Sequence, residues 1–178
     1  MNILTEVILV NEDDVQTGTM EKMEAHQKGL LHRAFSIFIF NSKGEFLLQQ
    51  RALTKYHNGG LWTNTCCSHP FPGEPILSAA NRRLFEEMGF RTVLSPAFSF
   101  TYKATFGNGL TEHEFDHVFT GIYDGKIKAD ENEVSDYCFK SIHDIEASLQ
   151  THPLKYTEWF KIALPQIKLF QELHFNNL

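Results

Sequence analysis

The feature that most restricts the fold of this chain is a helix with a clear start and a clear end. Pro75 stands where proline is favoured at the first turn of a helix, and Gly89 stands where a left-handed glycine ends one. The residues between them, Ile76–Met88, are predicted to form that helix. Segments rich in β-branched and aromatic residues precede and follow it, so the helix must pack against a sheet.

Strands are predicted on both sides of this helix. They are Val7–Val10, Ala34–Phe40, Glu45–Arg51, Trp62–Cys67, Phe98–Phe106, Leu110–Thr120 and a strand near Val134–Lys140. A short helix is predicted at Met20–His26, and a helical tail from Leu154 to Phe175 with a break at Pro165. This order indicates an α/β (α+β) fold in which a mixed sheet lies between helices. The chain contains no linker or repeat, so residues 1–178 are predicted to form one domain.

Composition excludes several classes of function. The net charge of −6 offers no overall attraction for nucleic acid or an anionic membrane, so an anionic ligand would need a local basic cluster. No apolar run approaches the length of a membrane span, and Met1–Gly18 lacks the pattern of a signal peptide. Three cysteines, two of them adjacent, do not suggest a disulfide framework. We therefore expect a cytoplasmic protein, monomeric or homodimeric, with a small-molecule substrate.

Two carboxylates, Glu86 and Glu87, lie near the carboxyl end of the predicted helix. The helix dipole makes that end negative, so the pair is placed unfavourably unless something compensates it. Arg82 and Arg83, four residues earlier, reduce the repulsion and would suit a solvated charged face. A bound cation that accepts one or both carboxylates is the other interpretation.

The segment around this helix resembles the Nudix box. The residues that carry the resemblance are Ser68-x5-Glu74-x7-Arg82-Arg83-Leu84-Phe85-Glu86-Glu87-Met88-Gly89-Phe90. In that family the loop and helix present carboxylates to divalent ions bound to a diphosphate, which implies that Glu87 holds Mg²⁺ together with a substrate diphosphate. Ser68 replaces a glycine of the box, and Arg83 replaces its first glutamate. The second replacement argues against ordinary diphosphate hydrolysis.

An acidic run is predicted on one strand. Glu112, Glu114 and Asp116 are spaced by two, so their side chains project from one face of the sheet. An exposed face would make them ordinary polar residues, whereas a face turned to a pocket would require cations or protons. No role is assigned to Asp116, nor to His113 and His117 on the other face.

A second motif resembles the signature of type I isopentenyl-diphosphate isomerases. It reads Trp62-Thr63-Asn64-Thr65-Cys66-Cys67-Ser68-His69-Pro70, and the resemblance extends over nearly the whole chain. It implies an enzyme that interconverts isopentenyl and dimethylallyl diphosphate in isoprenoid precursor synthesis. The reaction proceeds by protonation and deprotonation through a tertiary carbocation.

The same resemblance implies roles for individual residues. Cys67 and Glu114 would be the acid–base groups on the two sides of the carbon skeleton, and Tyr102 would relay or orient the proton at Glu114. Trp159 would stabilise the cation through its ring face. The implied metal ligands are His26, His32, His69, Glu112 and Glu114, which suit Mn²⁺ or Mg²⁺, with Zn²⁺ as a further candidate. The implied diphosphate contacts are Lys22, Arg51, Lys55 and Arg83.

Plainer interpretations stand beside these roles. An isolated Cys67 would usually be a small buried hydrophobe, and a cysteine two residues from a histidine can bind zinc. Trp159 suits simple helix packing, and scattered basic residues are usually solvated. Two other functions therefore remain open, a Nudix-type diphosphate hydrolase and a non-catalytic domain with a structural zinc. The acidic turn at Asp130–Glu133 is expected to be solvated.

The hairpin allows one prediction from geometry alone. If Gly107-Asn108-Gly109 is a three-residue turn, Tyr102 lies opposite Glu114 and Ala104 lies opposite Glu112. The phenol could then reach the Glu114 carboxylate, and the small alanine would leave room beside Glu112 for an ion. A bulge would shift the register by one residue and turn Tyr102 to the other face.

Overall fold

The structure is a computed structural model that describes residues 6–55, 58–106 and 109–175. Its strands are β1 (Glu6–Val10), β2 (Gln16–Glu21), β3 (His32–Phe40), β4 (Phe46–Arg51), β5 (Trp62–Thr63), β6 (Cys66–Ser68), β7 (Ser95–Thr105), β8 (Thr111–Ile122) and β9 (Val134–Lys140). Its helices are α1 (Lys22–Lys28), α2 (Ile76–Met88), α3 (Ile142–Thr151) and α4 (Glu158–Phe175). A 3-10 turn spans Pro153–Lys155.

Strand β3 lies at the centre of the sheet. It pairs in parallel with β8 along its whole length, from His32 opposite Glu114 to Phe40 opposite Ile122. It also pairs antiparallel with β1, β4 and β6, while β7 pairs with β8 and β9 pairs with β4. A nearly continuous apolar run is typical of a strand buried on both faces, and β3 has that pattern. The predicted mixed sheet is confirmed.

Alternate residues of β3 belong to two hydrophobic clusters on opposite faces of the sheet. Ile37 and Ile39 pack in one cluster with Leu84 of α2. Phe38 packs in the other with Phe160 of α4, their ring centroids 6.3 Å apart. Helices therefore cover both faces, as the predicted fold class requires. No helix in the described part of the chain is long and apolar enough to cross a membrane.

Helix α2 has the predicted bounds. Gly89 ends it with φ 71°, and its amide donates to the Phe85 carbonyl. A Cβ at Gly89 would also collide with the Lys128 carbonyl, so both backbone conformation and space require glycine there. Pro75 is the residue before the first helical turn rather than its first member.

Three predicted elements were wrong in detail. The helix predicted from Met20 begins at Lys22, because Met20 belongs to β2, a polar and largely exposed edge strand without the usual apolar alternation. The strand predicted at Trp62–Cys67 divides into β5 and β6. Pro165 does not break α4, because it lies on the exposed side of the helix, where water can replace the lost hydrogen bond.

Helix α3 was not predicted at all, although its sequence carries a start signal. The Ser141 hydroxyl accepts a hydrogen bond from the Asp144 amide at 3.1 Å and caps the helix. A serine followed three residues later by an acidic residue is a sequence pattern typical of a helix start.

The hairpin of β7 and β8 has the predicted register. Tyr102 pairs with Glu114 and Ala104 pairs with Glu112. The irregularity in this pairing lies near the beginning of β7, at the opposite end from the turn. Gly107 and Asn108 of the predicted turn lie outside the described residues.

Candidate active site

A pocket beside β8 collects most of the predicted site residues. Among its lining residues are all four predicted catalytic side chains, Cys67, Tyr102, Glu114 and Trp159. The four predicted diphosphate-binding residues line it too, together with His69, Glu87 and Glu112. His26 and His32 lie behind this lining, where they contact Glu112 and His69.

Strand pairing assembles one side of the site. Glu114 of β8 stands between Tyr102 of β7 and His32 of β3, so these three side chains form a row across the sheet. His69 follows directly after β6, and His26 comes from α1. Residues far apart in the chain thus meet because β3 pairs with both β8 and β6.

The Nε2 atoms of the histidines point towards one another. His26 Nδ1 is 2.6 Å from the Lys22 carbonyl, and His32 Nδ1 is 2.8 Å from the Leu30 carbonyl. A carbonyl only accepts, so both Nδ1 atoms carry a hydrogen, and each ring turns its Nε2 towards the site. Single donor atoms of His26, His32, His69 and Glu114 lie within 4.8 Å of one another.

A cation fits this donor set. His69 Nε2 is 3.2 Å from His32 Nε2 and 2.8 Å from Glu114 Oε1. Ring nitrogens and a carboxylate oxygen this close together can all donate lone pairs to one divalent ion. Imidazole nitrogen and carboxylate oxygen are common donors for transition metals. The cluster can therefore bind a metal ion.

Glu112 completes the predicted set of ligands from the side of α1. Its Oε2 lies 3.0 Å from His26 Nε2, and both side chains are buried. Burial acts to lower the pKa of His26, but the hydrogen bond and charge of Glu112 outweigh it and raise that pKa. Burial and then the Lys22 charge lower the pKa of His69 to about 3, which keeps that ring neutral.

Tyr102 and Glu114 form the predicted contact. The phenol donates to Glu114 Oε2 at 2.7 Å. Burial, together with the Glu114 charge, raises the pKa of Tyr102 well above its ordinary value, so the phenol keeps its proton. Burial would raise the pKa of Glu114, but hydrogen bonds from His32 and His69 prevail and lower it well below the usual range.

The adjacent cysteines face opposite sides of the sheet because strand residues alternate. Cys66 is fully buried in the cluster beneath α2, whereas Cys67 lines the pocket. Burial raises the pKa of the Cys67 thiol to about 12, so it is protonated at neutral pH. The four-residue metal-binding group contains no cysteine, although all three cysteines are among the described residues. This disfavours a zinc site built from cysteines and histidines.

Glu87 is buried at the other end of the pocket. Arg83 forms a close ion pair with it and also contacts Glu86 at 2.8 Å. Gln49 donates from its amide to Glu87 Oε2 at 2.8 Å and to the Thr65 carbonyl at 2.7 Å. Sequence reasoning missed Gln49, since nothing in β4 distinguishes it before the fold brings it to α2.

Glu133 was also missed. The acidic turn was expected to be solvated, but Glu133 is half-buried between Lys55, with which it forms a close ion pair, and Arg83 at 3.5 Å. Its backbone carbonyl accepts from the Ala52 amide. The expectation is wrong for this residue because a turn remote in sequence packs against the basic side of the pocket.

The acidic face of β8 is buried, so its interpretation as an exposed polar face is wrong. Glu112, Glu114 and Asp116 are 3%, 8% and 1% exposed. Asp116 accepts from the Ser36 hydroxyl at 2.7 Å, and burial raises its pKa well above the ordinary value. Two histidines project from the other face of β8. His113 contacts the Gly29 carbonyl, and His117 contacts the Asp14 carboxylate.

Comparison with known proteins agrees with this geometry. Residues 30–160 match the model of the NUDIX domain. A protein of Pectobacterium atrosepticum named isopentenyl-diphosphate Delta-isomerase is 53% identical over 164 residues, which are 92% of this chain and 92% of the relative. The chain belongs to the isopentenyl-diphosphate Delta-isomerase family. A relative of the same name in Serratia proteamaculans is 51% identical over 154 residues, 86% of each chain.

Solved structures share the fold of this isomerase family member. A Deinococcus radiodurans protein matches with a TM-score of 0.69 at 19% identity, covering 83% of this chain and 90% of the other. A MutT protein from Methanosarcina mazei matches with a TM-score of 0.64 at 22% identity, covering 82% and 96%. At these identities the likeness concerns the NUDIX fold alone.

Proposed function

We propose that this protein interconverts isopentenyl diphosphate and dimethylallyl diphosphate, and that one NUDIX-type domain spanning residues 1–178 carries the activity. The observation that supports this best is the content of one pocket. A protonated thiol, a carboxylate with its phenol donor and an indole line it, beside a histidine–carboxylate cluster and four basic residues. The relatives named for this reaction cover nearly the whole chain.

The reaction moves a proton without changing the composition of the substrate. A proton adds to the terminal carbon of the double bond and leaves a tertiary cation on the neighbouring carbon. Loss of a proton from the carbon on the other side forms the new double bond. We assign Cys67 and Glu114 as the acid–base pair, since the thiol keeps its proton and the carboxylate is ionised. Tyr102 orients the Glu114 carboxylate through its hydrogen bond.

Two cation sites are part of the proposal. His26, His32, His69, Glu112 and Glu114 would hold a resident Mn²⁺ or Mg²⁺, and Zn²⁺ also suits these donors. Such an ion would withdraw charge from Glu114 and fix the carboxylate in one orientation. Glu87 would take Mg²⁺ only together with the diphosphate. The diphosphate oxygens would be bound by the basic residues of the pocket, Lys22, Arg51, Lys55 and Arg83.

Trp159 is proposed to stabilise the cationic intermediate. Its buried ring lines the pocket, and the Arg51 guanidinium lies 5.3 Å from the ring centroid, within the range of a cation–π contact. A cation over an indole is stabilised by ~1–2 kcal/mol. The ring also excludes water that would otherwise react with the intermediate.

One assay separates the candidate functions. Isopentenyl diphosphate is incubated with the metal-loaded protein, and both dimethylallyl diphosphate and free phosphate are measured. The proposed isomerase forms the isomer and releases no phosphate. Phosphate release would favour a Nudix-type hydrolase. Arg83 argues against that function, because it replaces a glutamate of the Nudix box and pairs with Glu86 and Glu87. Tightly retained zinc with neither product would favour a structural metal site.

We propose that the activity takes place in the cytoplasm. Three free cysteines suit the reducing cytoplasm. The substrate is a small isoprenoid diphosphate, and we propose that the protein acts as a monomer or a homodimer.

A further inference from the structure

A buried polar cluster lies behind the pocket. Thr63, Asn64 and Thr157 are fully buried, and Trp159 is 5% exposed. The Trp159 indole nitrogen donates to the Thr63 hydroxyl at 2.9 Å. The same hydroxyl is 2.9 Å from Asn64 Oδ1 and 2.9 Å from the Thr157 hydroxyl. Four polar groups that meet in the interior need a complete set of hydrogen bonds.

The partners determine every donor and acceptor in this cluster. The Asn64 amide nitrogen donates to the carbonyls of Cys66 at 2.7 Å and Ile37 at 3.2 Å, so Asn64 Oδ1 faces Thr63 as an acceptor. The Thr63 hydroxyl has one hydrogen and gives it to that oxygen. Its two lone pairs then accept from the Trp159 indole and from the Thr157 hydroxyl. The Thr63 oxygen is saturated in a single arrangement.

The cluster ties the indole to the central sheet. Asn64 reaches the Ile37 carbonyl of β3 and the carbonyl of Cys66, the residue before Cys67. The Thr157 amide donates to the Trp62 carbonyl at 3.0 Å, which anchors the start of α4 beside β5. The orientation of the ring therefore depends on the segment that carries Cys67 as well as on α4.

We propose that Thr63 is a positioning residue for the isomerisation, whose hydroxyl sets the plane of the Trp159 indole at the pocket. The inference rests on the proposed function, in which the ring face stabilises a carbocation. Stabilisation of a cation by a ring depends on the cation lying over the ring face, so a rotated indole loses it. The hydrogen bond to Thr63 adds a directional restraint on the ring that apolar packing lacks.

The test compares two isosteric substitutions in the same cluster. Thr63→Val removes the hydroxyl that accepts from the indole, while Thr157→Val removes the hydroxyl that donates to the Thr63 oxygen. We expect Thr63→Val to lower kcat by about tenfold with KM unchanged within about twofold. Thr157→Val should lower the melting temperature but leave kcat within about twofold of the wild type. Thr63→Ser, which keeps the hydroxyl, should restore most of kcat.

A second background separates positioning from simple destabilisation. Trp159→Phe has no indole N–H, so adding Thr63→Val to it should not lower kcat further. The same fold loss in both backgrounds, or equal kcat losses for Thr63→Val and Thr157→Val, would overturn the inference. Wild-type protein that forms no isomer would instead overturn the proposed function.

A measurement on unsubstituted protein covers the case in which Thr63→Val does not fold. The indole N–H of Trp159 should exchange with solvent far more slowly than that of the half-buried Trp62. Thr157→Val should leave that protection largely intact, because the Thr63 acceptor remains. Similar exchange for both indoles of the wild type would contradict the hydrogen bond on which the inference depends.

Discussion

Two acidic regions of the pocket are neutralised in different ways. At the end of α2, Glu87 pairs with the Arg83 guanidinium, whose charge is permanent at any physiological pH. On β8, Glu114 contacts imidazoles and a phenol, with His69 at 2.8 Å and Tyr102 at 2.7 Å. Both carboxylates are buried, so each needs compensation for lost hydration.

The difference indicates the order in which the two regions bind ions. The imidazole nitrogens and the Glu114 carboxylate already converge in the substrate-free protein, in an arrangement that suits a cation. Glu87 already has a cationic partner, so an ion must compete with Arg83 until diphosphate oxygens attract that guanidinium. We therefore expect a resident ion on β8 and an ion at Glu87 that arrives with substrate.

Removal of divalent ions is the most severe test of this comparison. Exhaustive chelation should abolish isomerisation, and added Mn²⁺ or Mg²⁺ should restore it, because the β8 carboxylates lose their compensating charge. Metal analysis of substrate-free protein should find an ion that is lost on His69→Ala. Normal turnover by fully demetallated protein would show the five-ligand assignment to be wrong.

Substitutions at the acid–base pair should distinguish a ligand from a non-ligand. Glu114→Gln and Cys67→Ser should each lower kcat by about 10²–10⁴-fold, the range for loss of a general acid or base. Only Glu114→Gln should also weaken metal binding, since Glu114 belongs to the cluster and Cys67 does not. Loss of the resident ion in Cys67→Ser would make the thiol a ligand and contradict this division. Activity and bound metal are measured on the same samples.

The second ion site predicts a smaller effect. Glu87→Gln should keep the resident ion in substrate-free protein but lower kcat/KM by about tenfold or more and raise the Mg²⁺ concentration needed for half-maximal activity. Glu86→Gln is the matched control, because the Glu86 carboxylate is next to Glu87 in sequence but is exposed and does not line the pocket. If Glu87→Gln lost the resident ion, the two sites would not be independent.

The two adjacent arginines should give the smallest effects. Arg83→Lys keeps a charge at the pocket but loses the planar fork, so it should raise KM by a few-fold. Arg82→Lys disturbs the partly exposed ion pairs with Glu74 and Glu86 and should change the free energy of unfolding by ~0–1 kcal/mol without changing KM. Equal changes in KM for both variants would count against a substrate role for Arg83.

The Arg82 pair also has a predicted pH dependence. Hydrogen bonds from Arg82 lower the pKa of Glu74 below its ordinary value in the folded protein. The stability it contributes is therefore present above that value and is lost as the pH falls through the lower folded pKa. Melting curves of the wild type and Arg82→Lys should converge at acidic pH. A difference that persisted there would have another origin.

Local signals in the sequence were sufficient for part of the fold. Pro75 and Gly89 mark α2, and a three-residue turn with a strand period of two places Tyr102 opposite Glu114. They failed for β2, an exposed edge without apolar alternation, and for α3. They also failed at Pro165, which lies on the exposed side of α4 and does not end the helix.

For the candidate site, too, short segments determined some features and the tertiary structure determined others. The sequence by itself, through its motifs, determined the family and the residue types: thiol, carboxylates, imidazoles and indole. Only the tertiary structure decided that the acidic face of β8 is buried, that Glu133 lies between Lys55 and Arg83, and that Thr63 accepts from Trp159. Motifs and strand period are properties of short segments. These contacts instead join residues up to about a hundred positions apart, and they form only when β3 has paired with β8 and α4 has packed beside β5.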